Sequence, residues 1–418
     1  MDLKNKNNNK QGGKVLASGG FGCVFMPALK CIGKTKRDKD KISKLMTIKH
    51  AKEEYDELIY VNNKLKFIQN YKKYFLIDDF TLCKPYKLTK TDLINYRQCS
   101  ALKKENITAD NINKSLDKLL SINMPYGGIT VEEFIINNKN HDKLAYLNKK
   151  LMDLLKNGII KMNQKHIYHS DIKASNILIS IDSDIETRLI DWSLTVEYIP
   201  FKNNKFPKNW KNRPLQFNVP FSIILFTDLF MDSYSNFLAK KENKNILSLH
   251  TEENREKLFL FVKNYLHLWM KERGQGHYKY INKIMYMLFK YDVLKSNNYL
   301  SNNDIMSEYI ETNYTLPYII NYLLEILIHF TKFKQDGSLD MRYYLDNIFI
   351  KVIDIWGFII SYLPLYELLF ENYDNLTQNL MVIFIKLKNI FLNYLYTPQS
   401  FLIQIENLEN NLKELNFL

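Results

Sequence analysis

The octapeptide HSDIKASN at residues 169–176, followed directly by the apolar run ILI at 177–179, decides the fold of this chain. Asp171 lies two residues before Lys173 and five before Asn176. Phosphorylation of a hydroxyl needs a carboxylate that accepts its proton, a cation that offsets phosphoryl charge and an amide that holds Mg²⁺. A solvated loop of common polar residues is the alternative reading. The full His-x-Asp-x-Lys-x-x-Asn spacing argues against that alternative.

A second acidic residue follows this group. Asp191 ends the apolar pair at 189–190 and lies fifteen residues after Asn176. The apolar runs 177–179 and 189–190 flank the turn residues 182–184, a pattern that predicts a β-hairpin. A lone Asp at a strand end is usually a cap. Across a hairpin from Asn176, however, it is placed to bind a Mg²⁺ that bridges nucleotide phosphates.

A glycine cluster, GGFG at residues 19–22, lies between two short β-like runs near the N-terminus. Glycines let the backbone approach an anion closely, so that its N–H groups point at phosphate oxygens. By itself the cluster is a weak signal, because glycines in turns usually serve the turn alone.

These three motifs in this order resemble the signature set of eukaryotic-type protein kinases. The resemblance implies a bilobal α+β fold, with a small β-rich N-terminal lobe that binds ATP and a larger, mostly helical C-terminal lobe. It assigns Asp171 and Lys173 to catalysis and Asn176 and Asp191 to Mg²⁺. The activity that it implies is transfer of the γ-phosphate of ATP to Ser and Thr hydroxyls of proteins.

The same resemblance extends beyond the three motifs. Lys44 would contact the α- and β-phosphates and pair with Glu54 as part of the catalytic set, although Glu57, one helical turn on, competes for this pairing. Asp354, in the sequence Asp-Ile-Trp-Gly, would brace the catalytic loop. The implied nucleotide-binding residues are Ala17, Ser18, Gly19, Gly20, Phe21, Gly22, Val24 and Lys44, with Met124 and Tyr126 at the hinge between the lobes.

Finer details resemble the serine/threonine kinases of giant, amoeba-infecting DNA viruses. The matching segments are 17–27, 43–46 and 213–222, and the similarity covers residues 14–225 and 345–418. The resemblance implies a viral protein of the host cytoplasm or the virion. We expect a monomer that acts on host or viral protein substrates.

The residue before the catalytic Asp departs from the kinase pattern. Ser170 replaces the usual Arg, which in that family pairs with a phosphate on the segment that follows Asp191. Residues 196–221 contain no Ser or Thr, although Tyr198 is present. We therefore expect activity that does not depend on Ser/Thr phosphorylation of this segment, and an essential phosphate found there by mass spectrometry would contradict this.

Three other positions also depart from the pattern. Ala17 replaces the first glycine of the phosphate loop, and Ser193 replaces the Gly after Asp191-Trp192. Glycine adopts positive φ more easily than serine does. Its replacement by Ser193 would therefore disfavour an inactivating change of backbone conformation at Asp191-Trp192. Pro125 lacks an N–H, so an adenine contact from a hinge amide must come from Met124 or Tyr126.

We divide the chain into a disordered tail (1–11), an N-terminal lobe (12–126) and a C-terminal lobe (127–418) that contains a helical insertion at 223–345. Short apolar runs predict strands near 15–16, 24–25, 42–46 and 119–124, and apolar residues at helical spacing predict helices over 51–67 and 144–164. Short helices are expected in the polar segment 84–118. Beyond Phe221 we expect helices only. The predicted helices of the insertion are 225–232, 254–271, 281–294 and 319–333. The insertion would supply packing, with a substrate-docking subdomain as the alternative. An apolar stripe at helical spacing is expected in the core and consists of Leu258, Phe261, Tyr265 and Trp269.

Composition limits the partners. The 418 residues include 58 Lys plus Arg and 45 Asp plus Glu, a net charge of +13. Acidic residues are interspersed and no long basic block occurs, so we do not expect a nucleic-acid partner. No apolar run has the length of a membrane span and the N-terminus has no apolar core, so we expect neither a membrane-spanning nor a secreted protein. The four cysteines form no CxxC pair and are expected to be reduced and buried.

Two other functions remain open at this stage. A small-molecule phosphotransferase of kinase-like fold shares the His-x-Asp, Asn-Ile-Leu and Ile-Asp-Trp elements and carries large helical insertions. A catalytically inactive nucleotide-binding scaffold would explain Ala17, Ser170 and Ser193. The glycine cluster, Lys173 and the Asp354 motif count against the first alternative. The second is opposed by the presence of Lys44, Asp171, Asn176 and Asp191.

Overall fold

The structure, a computed structural model, describes residues 14–138, 141–180, 185–202, 205–243, 245–247, 251–296, 302–396 and 402–416. The chain divides into two units, Met1–Gly128 and Ile129–Leu418. This division falls two residues after the lobe boundary expected between 126 and 127. The tail 1–11 lies outside the described residues.

The first unit contains an antiparallel five-stranded sheet in the order β1-β2-β3-β5-β4. Its strands are β1 (Lys14–Ser18), β2 (Gly22–Met26), β3 (Lys41–Thr47), β4 (Thr81–Cys83) and β5 (Leu119–Pro125). Its helices are α1 (Ile48–Leu65), α2 (Tyr71–Tyr74) and α3 (Ser100–Lys104). The strands expected from apolar runs near 15–16, 24–25, 42–46 and 119–124 are confirmed.

Helix α1 packs on this sheet through one face. Ala51, Leu58, Val61 and Leu65 are buried at spacings that lie on one side of an α-helix. These residues lie against β3 and β5. The helix was expected over 51–67 and begins three residues earlier, directly after β3.

The polar segment 84–118 folds onto the first two strands and changes the expected state of the cysteines. Short helices, as predicted, occupy parts of it. It brings Cys99 to Cys23, with 5.5 Å between their Cα atoms. Cys83, at the end of β4, has its Cα atom 5.8 Å from that of Cys31. Both pairs are disulfides, so the expectation of reduced thiols is wrong. The reason is that the partners are 76 and 52 residues apart in sequence, and only the folding of the first unit brings them together.

The second unit is mostly helical. Its helices are α4 (Val131–Asn137), α5 (His141–Asp153), α6 (Ile160–Gln164), α7 (Asp228–Leu238), α8 (Glu252–Arg273), α9 (Tyr278–Ser296), α10 (Asn303–Ile310), α11 (Leu316–Phe330), α12 (Arg342–Tyr344), α13 (Ile350–Ile360), α14 (Leu363–Glu371), α15 (Gln378–Phe391) and α16 (Ile405–Lys413). A π-helical turn at Leu154–Ile159 joins α5 to α6, so the helix expected over 144–164 is continuous.

Short strands complete the second unit. They are β6 (Ile129–Thr130), β7 (Ile167–Tyr168), β8 (Ile177–Ser180), β9 (Glu186–Leu189), β10 (Val196–Glu197), β11 (Lys332–Phe333) and β12 (Leu339–Asp340). Strands β8 and β9 pair as expected, while the turn 182–184 lies outside the described residues. The hairpin of β11 and β12 contradicts the expectation of helices only after Phe221. Gly337, with φ of +79°, allows that turn.

The most apolar stretch of the chain is a core element of the second unit. Arg342–Glu371 is long and apolar enough to cross a membrane by length and composition, and its most apolar 18 residues have a mean hydropathy of 1.8. In this structure 83% of this 18-residue segment is buried inside the protein. The stretch includes α13, which lies beside residues 169–176, the segment that the kinase resemblance assigns as the catalytic loop. A Cβ on Gly357 would lie 2.6 Å from the carbonyl oxygen of Ile172, so only glycine fits this approach.

The inserted helices lie close to their predicted positions, with two differences. Residues 225–232 do not form one helix, because a 3₁₀ turn at Phe221–Leu225 precedes α7, whose N-terminus is capped by Thr227. Helix α10 lies outside the four predicted ranges, within a region that was expected to be helical. In α8 the stripe residues Leu258, Tyr265 and Trp269 are buried, which confirms their place in the core.

Candidate active site

Asp354 binds the backbone at the start of the catalytic loop. One of its carboxylate oxygens accepts from the backbone N–H of His169 at 2.9 Å and from Asn163 Nδ2 at 2.7 Å. The other accepts from the backbone N–H of Ser170 at 2.8 Å. Burial raises the pKa of Asp354, and these three donors oppose the rise. Since Ser170 has a left-handed φ of +63°, these bonds also hold a backbone conformation that a non-glycine residue rarely adopts.

Asp171 is surrounded by donors. Its Oδ2 accepts from Lys173 Nζ at 2.9 Å and from Asn176 Nδ2 at 2.9 Å, and its Oδ1 accepts from Asn218 Nδ2 at 2.8 Å. Burial by itself raises the pKa of Asp171. The charge of Lys173 and the hydrogen bonds from Lys173 and Asn218 outweigh it, so the pKa lies below its usual value. The carboxylate is therefore ionised near neutral pH, as a proton acceptor must be.

Asn176 links the catalytic loop to the strand end that carries Asp191. Its Nδ2 also donates to the carbonyl oxygen of Asp171 at 2.8 Å, which orients the amide and leaves Oδ1 as the atom suited to a cation. The backbone N–H of Ile190 donates to the carbonyl of Asn176 at 3.0 Å. His169 Nε2 donates to the carbonyl of Ile190 at 2.9 Å, which requires the tautomer protonated at Nε2.

Asp191 lies exposed at the end of β9 with a left-handed φ of +64°. Asp tolerates this backbone region better than most residues, and such conformations are common at functional sites. Ser193 Oγ donates to Asp191 Oδ1 at 2.9 Å. The replacement of glycine by Ser193 therefore adds a bond that orients the carboxylate, in addition to the loss of backbone freedom inferred from the sequence.

The donor set of Asn176 and Asp191 fits Mg²⁺. An amide oxygen and a carboxylate are hard oxygen ligands, and Mg²⁺ is typically held by one or two carboxylates plus substrate phosphates and water. Among the described residues, no group of three or more His, Cys, Asp or Glu side chains could hold a metal without further ligands. Asn176 and Asp191 thus offer oxygen ligands of the type that Mg²⁺ takes, and any further ligands would have to come from phosphates and water.

Lys44 and Glu54 form an ion pair in the first unit. Lys44 Nζ, on β3, lies 2.7 Å from both carboxylate oxygens of Glu54, on α1. Each side chain is about one-fifth exposed, so the pair is shielded yet accessible from one side. Of the two carboxylates that the sequence left open, Glu54 rather than Glu57 has this geometry.

The glycine cluster forms a tight turn between β1 and β2. The N–H of Gly19 donates to the carbonyl of Gly22 at 2.8 Å. A Cβ on Gly22 would lie 2.3 Å from Met46 Cγ, whereas a Cβ on Gly20 would meet nothing within 4 Å. Gly22 is thus required for packing, and the backbone near Gly20 is open to a ligand. Phe21 is 58% exposed at the tip and stacks on His50.

The residues on either side of this turn make contacts with different elements. Ala17 lies at an irregularity in the pairing of β1 with β2. Ser18 Oγ bonds to Ser100 Oγ at 3.1 Å and accepts from the N–H of Ala101 at 3.3 Å, so it is engaged with α3. Val24 lies opposite Lys44 in the ladder of β2 and β3. The structure thus brings Val24 and Lys44 together and directs Ser18 elsewhere.

The hinge amides do not fit their expected role. The N–H of Tyr126 donates to the carbonyl of Asp40 at 3.1 Å. Met124 lies opposite Ile42, two positions earlier in the same ladder, so the alternation of antiparallel pairing turns its N–H toward β3 as well. An adenine contact through either amide is therefore not supported by this geometry. The sequence could not show this, because register decides which edge of β5 each amide faces.

Three residues near Asp171 were not identified as site residues. Asn218 bonds to the Asp171 carboxylate, as described above. Arg213 Nη1 donates to the carbonyl of Ser170 at 2.8 Å, and Trp210 Nε1 donates to Ser170 Oγ at 2.8 Å. The only signal for Arg213 and Asn218 was their place in the segment 213–222, quoted for its resemblance to viral kinases.

Comparisons with known proteins give a weak likeness only. No protein-family model and no curated protein matches the chain. Similar solved structures include crystal structures of the Mycobacterium tuberculosis PknI kinase domain, in a double mutant and in a single mutant, each with a TM-score of 0.26 and 12% identity over 43% of this chain. The matched region spans 58% of the first and 57% of the second neighbour. A likeness at this level does not define the function of the chain.

Proposed function

We propose that the chain is an ATP-dependent protein kinase that transfers the γ-phosphate of ATP to Ser and Thr hydroxyls of protein substrates. The observation that carries the proposal is the Asp171 carboxylate, ionised and oriented by donors from Lys173 and Asn176 in a loop that Asp354 holds. A carboxylate with a neighbouring lysine and an amide for Mg²⁺ is the arrangement that hydroxyl phosphorylation needs.

In the proposed reaction the substrate hydroxyl oxygen forms a bond to the γ-phosphorus. The bond from that phosphorus to the β–γ bridging oxygen breaks, ADP leaves, and the hydroxyl proton passes to Asp171. Lys173, 2.9 Å from the Asp171 carboxylate, would offset negative charge on the transferred group. Asn176 and Asp191 would hold Mg²⁺, which neutralises phosphate charge when it is bound.

Residues of the first unit would bind the nucleotide. Lys44, oriented by Glu54, would contact the α- and β-phosphates, and the open backbone near Gly20 would approach the phosphate oxygens. The choice of protein over small-molecule acceptors follows from the resemblance of the glycine cluster, Lys173 and the Asp354 motif to protein kinases. On the viral resemblance we propose host or viral proteins as the substrates.

A labelled-phosphate assay tests the proposal. Wild-type protein and Asp171→Asn are incubated with γ-labelled ATP, Mg²⁺ and either protein acceptors or small alcohols such as aminoglycosides and choline. We expect label on Ser and Thr of proteins with the wild type only. Label on the small alcohols would instead support a small-molecule phosphotransferase. ATP binding without turnover would support an inactive scaffold, and full transfer by Asp171→Asn would contradict the mechanism.

A further inference from the structure

The inserted helices contact the segment that holds the catalytic loop. We call residues 210–218 the anchor segment. The loop between α8 and α9 lies against it, where the N–H of His277 donates to the carbonyl of Leu215 at 2.9 Å. Trp269, buried in α8, donates from Nε1 to the carbonyl of Arg213 at 3.3 Å. Two separate parts of the insertion thus bind backbone carbonyls of the anchor segment.

The anchor segment in turn bonds to the catalytic loop through three side chains. Trp210 and Arg213 donate to the hydroxyl and carbonyl of Ser170, and Asn218 donates to the carboxylate of Asp171. Arg213 is only 6% exposed, and burial lowers its pKa to about 10, against the opposing charges of Asp171 and Asp354. The guanidinium therefore remains charged at neutral pH beside the catalytic carboxylate.

One glycine sets how closely the insertion approaches. Gly276 has φ of +54°, and a Cβ there would lie 2.2 Å from the carbonyl oxygen of Leu215 and 3.1 Å from its nitrogen. No side chain fits in this space without moving the anchor segment, because the obstructing atoms are backbone. The neighbouring Gly274 has φ of +78° and has nothing within 4 Å of its Cβ position.

His277, directly before α9, also packs on a side chain of the anchor segment. Its ring lies against Phe217, with 5.2 Å between centroids. Phe217 directly precedes Asn218, which donates to the Asp171 carboxylate. The pKa of His277 is lowered by burial and by the charges of Lys173 and Arg213, while Asp171 acts in the opposite sense. The insertion therefore contacts the anchor segment beside the residue that binds Asp171.

We propose that the corner between α8 and α9 is a built-in positioning element for catalysis. Through Trp269, Gly276 and His277 it holds the anchor segment in the conformation in which Arg213 and Asn218 orient the catalytic loop. It supplies from within the chain the restraint that the kinase pattern would obtain from an arginine–phosphate pair at Ser170. This inference rests on the proposed kinase function and gives the insertion a role beyond packing.

The matched variants Gly276→Ala and Gly274→Ala test the proposal. Both place a side chain at positive φ, but only the first obstructs Leu215. We expect Gly276→Ala to lower kcat for protein phosphorylation by about tenfold or more, since small displacements of positioned groups have effects of this size, with KM for ATP unchanged. Amide hydrogen exchange in residues 210–218 should become faster in Gly276→Ala and stay at the wild-type level in Gly274→Ala.

Further readouts separate the possible failures. If Gly276→Ala does not fold, Trp269→Phe removes the Nε1 donor together with part of the buried ring, and it should still speed exchange in the anchor segment and lower kcat. Equal kcat and equal exchange in Gly276→Ala and Gly274→Ala would overturn the inference. If the wild type transfers no phosphate, the proposed function fails, while the exchange comparison still decides whether the corner restrains the anchor segment.

Discussion

Asp171 owes its properties to residues that lie on three different segments. Lys173 and Asn176 are its neighbours in sequence, so their roles could be proposed from spacing alone. Asn218 lies 47 residues after Asp171 and contributes a bond of 2.8 Å, against 2.9 Å for each of theirs. Asp354 supports the loop from a position 185 residues after His169. The sequence therefore predicts the local half of the site, and the fold supplies the other half.

The pH dependence of phosphotransfer should report the influence of Lys173. The charge of Lys173 and its hydrogen bond hold the pKa of Asp171 below its usual value against the effect of burial, so Lys173→Met should raise this pKa. A proton acceptor loses activity as the pH falls through its pKa, so the acidic limb of kcat should move to higher pH. The residual rate should fall by roughly 10²-fold, as for loss of a charge-stabilising donor.

Lys165→Met is the control for that measurement, because Lys165 is exposed and lies outside the site. Its pH profile should match the wild type. An unchanged acidic limb in Lys173→Met would show that Lys173 does not set the ionisation of Asp171.

Removal of the Asp354 carboxylate should destabilise the protein. Asp354→Ala would leave the buried N–H groups of His169 and Ser170 without an acceptor, which costs about 1–3 kcal/mol for each group. We therefore expect a loss of about 3 kcal/mol in the free energy of unfolding, measured with urea. Asp374→Ala, at an exposed site, should change it by less than about 0.5 kcal/mol. Equal stability of the two variants would be inconsistent with the bracing role.

At the level of elements, the sheet of the first unit was the most predictable part. Its strands follow short apolar runs bounded by turns, and β2 and β3 lie within two residues of the predicted positions. The β11–β12 hairpin was missed, because two-residue strands leave too little periodicity to detect. The direction of the hinge amides was missed for another reason, since it depends on register rather than on residue type.

The glycine turn offers a prediction at this scale. Gly22→Ala would place Cβ 2.8 Å from the carbonyl of Leu45, so β2 must move away from β3 near Lys44. Overpacking of this kind costs about 1–3 kcal/mol. We expect a higher KM for ATP and a lower melting temperature, measured by steady-state kinetics and calorimetry. Gly20→Ala has open space at its Cβ and should retain wild-type stability. The reverse order of the two variants would disprove the packing argument.

At the scale of the whole chain, the two units differ in how they are stabilised. All four cysteines lie in the first unit, where segment 84–118 is joined to β2 by the bond between Cys23 and Cys99. The second unit relies on helices packed around the apolar stretch Arg342–Glu371. Charged residues within the apolar run 344–370 predict a buried or amphipathic core helix, and its burial agrees with this, but its contact with the catalytic loop could be seen only in the fold.

Reduction should therefore affect the units unequally. Loss of a native disulfide typically costs about 2–5 kcal/mol. With dithiothreitol, or in Cys99→Ser, amide exchange in β1 and β2 should become faster. Exchange in α13, in the unit without cysteines, should show no direct change. Identical exchange of β1 and β2 with and without reductant would argue against the disulfides.

The bonds from Trp210 and Arg213 to Ser170 need no added phosphate, so a newly made copy of the proposed kinase would need no earlier reaction before its first turnover. Product should then accumulate linearly from the moment of mixing, at any enzyme concentration, without a lag. Under this arrangement the quantity of protein, rather than its modification history, would determine the rate. Output in a cell would follow the synthesis and degradation of the chain.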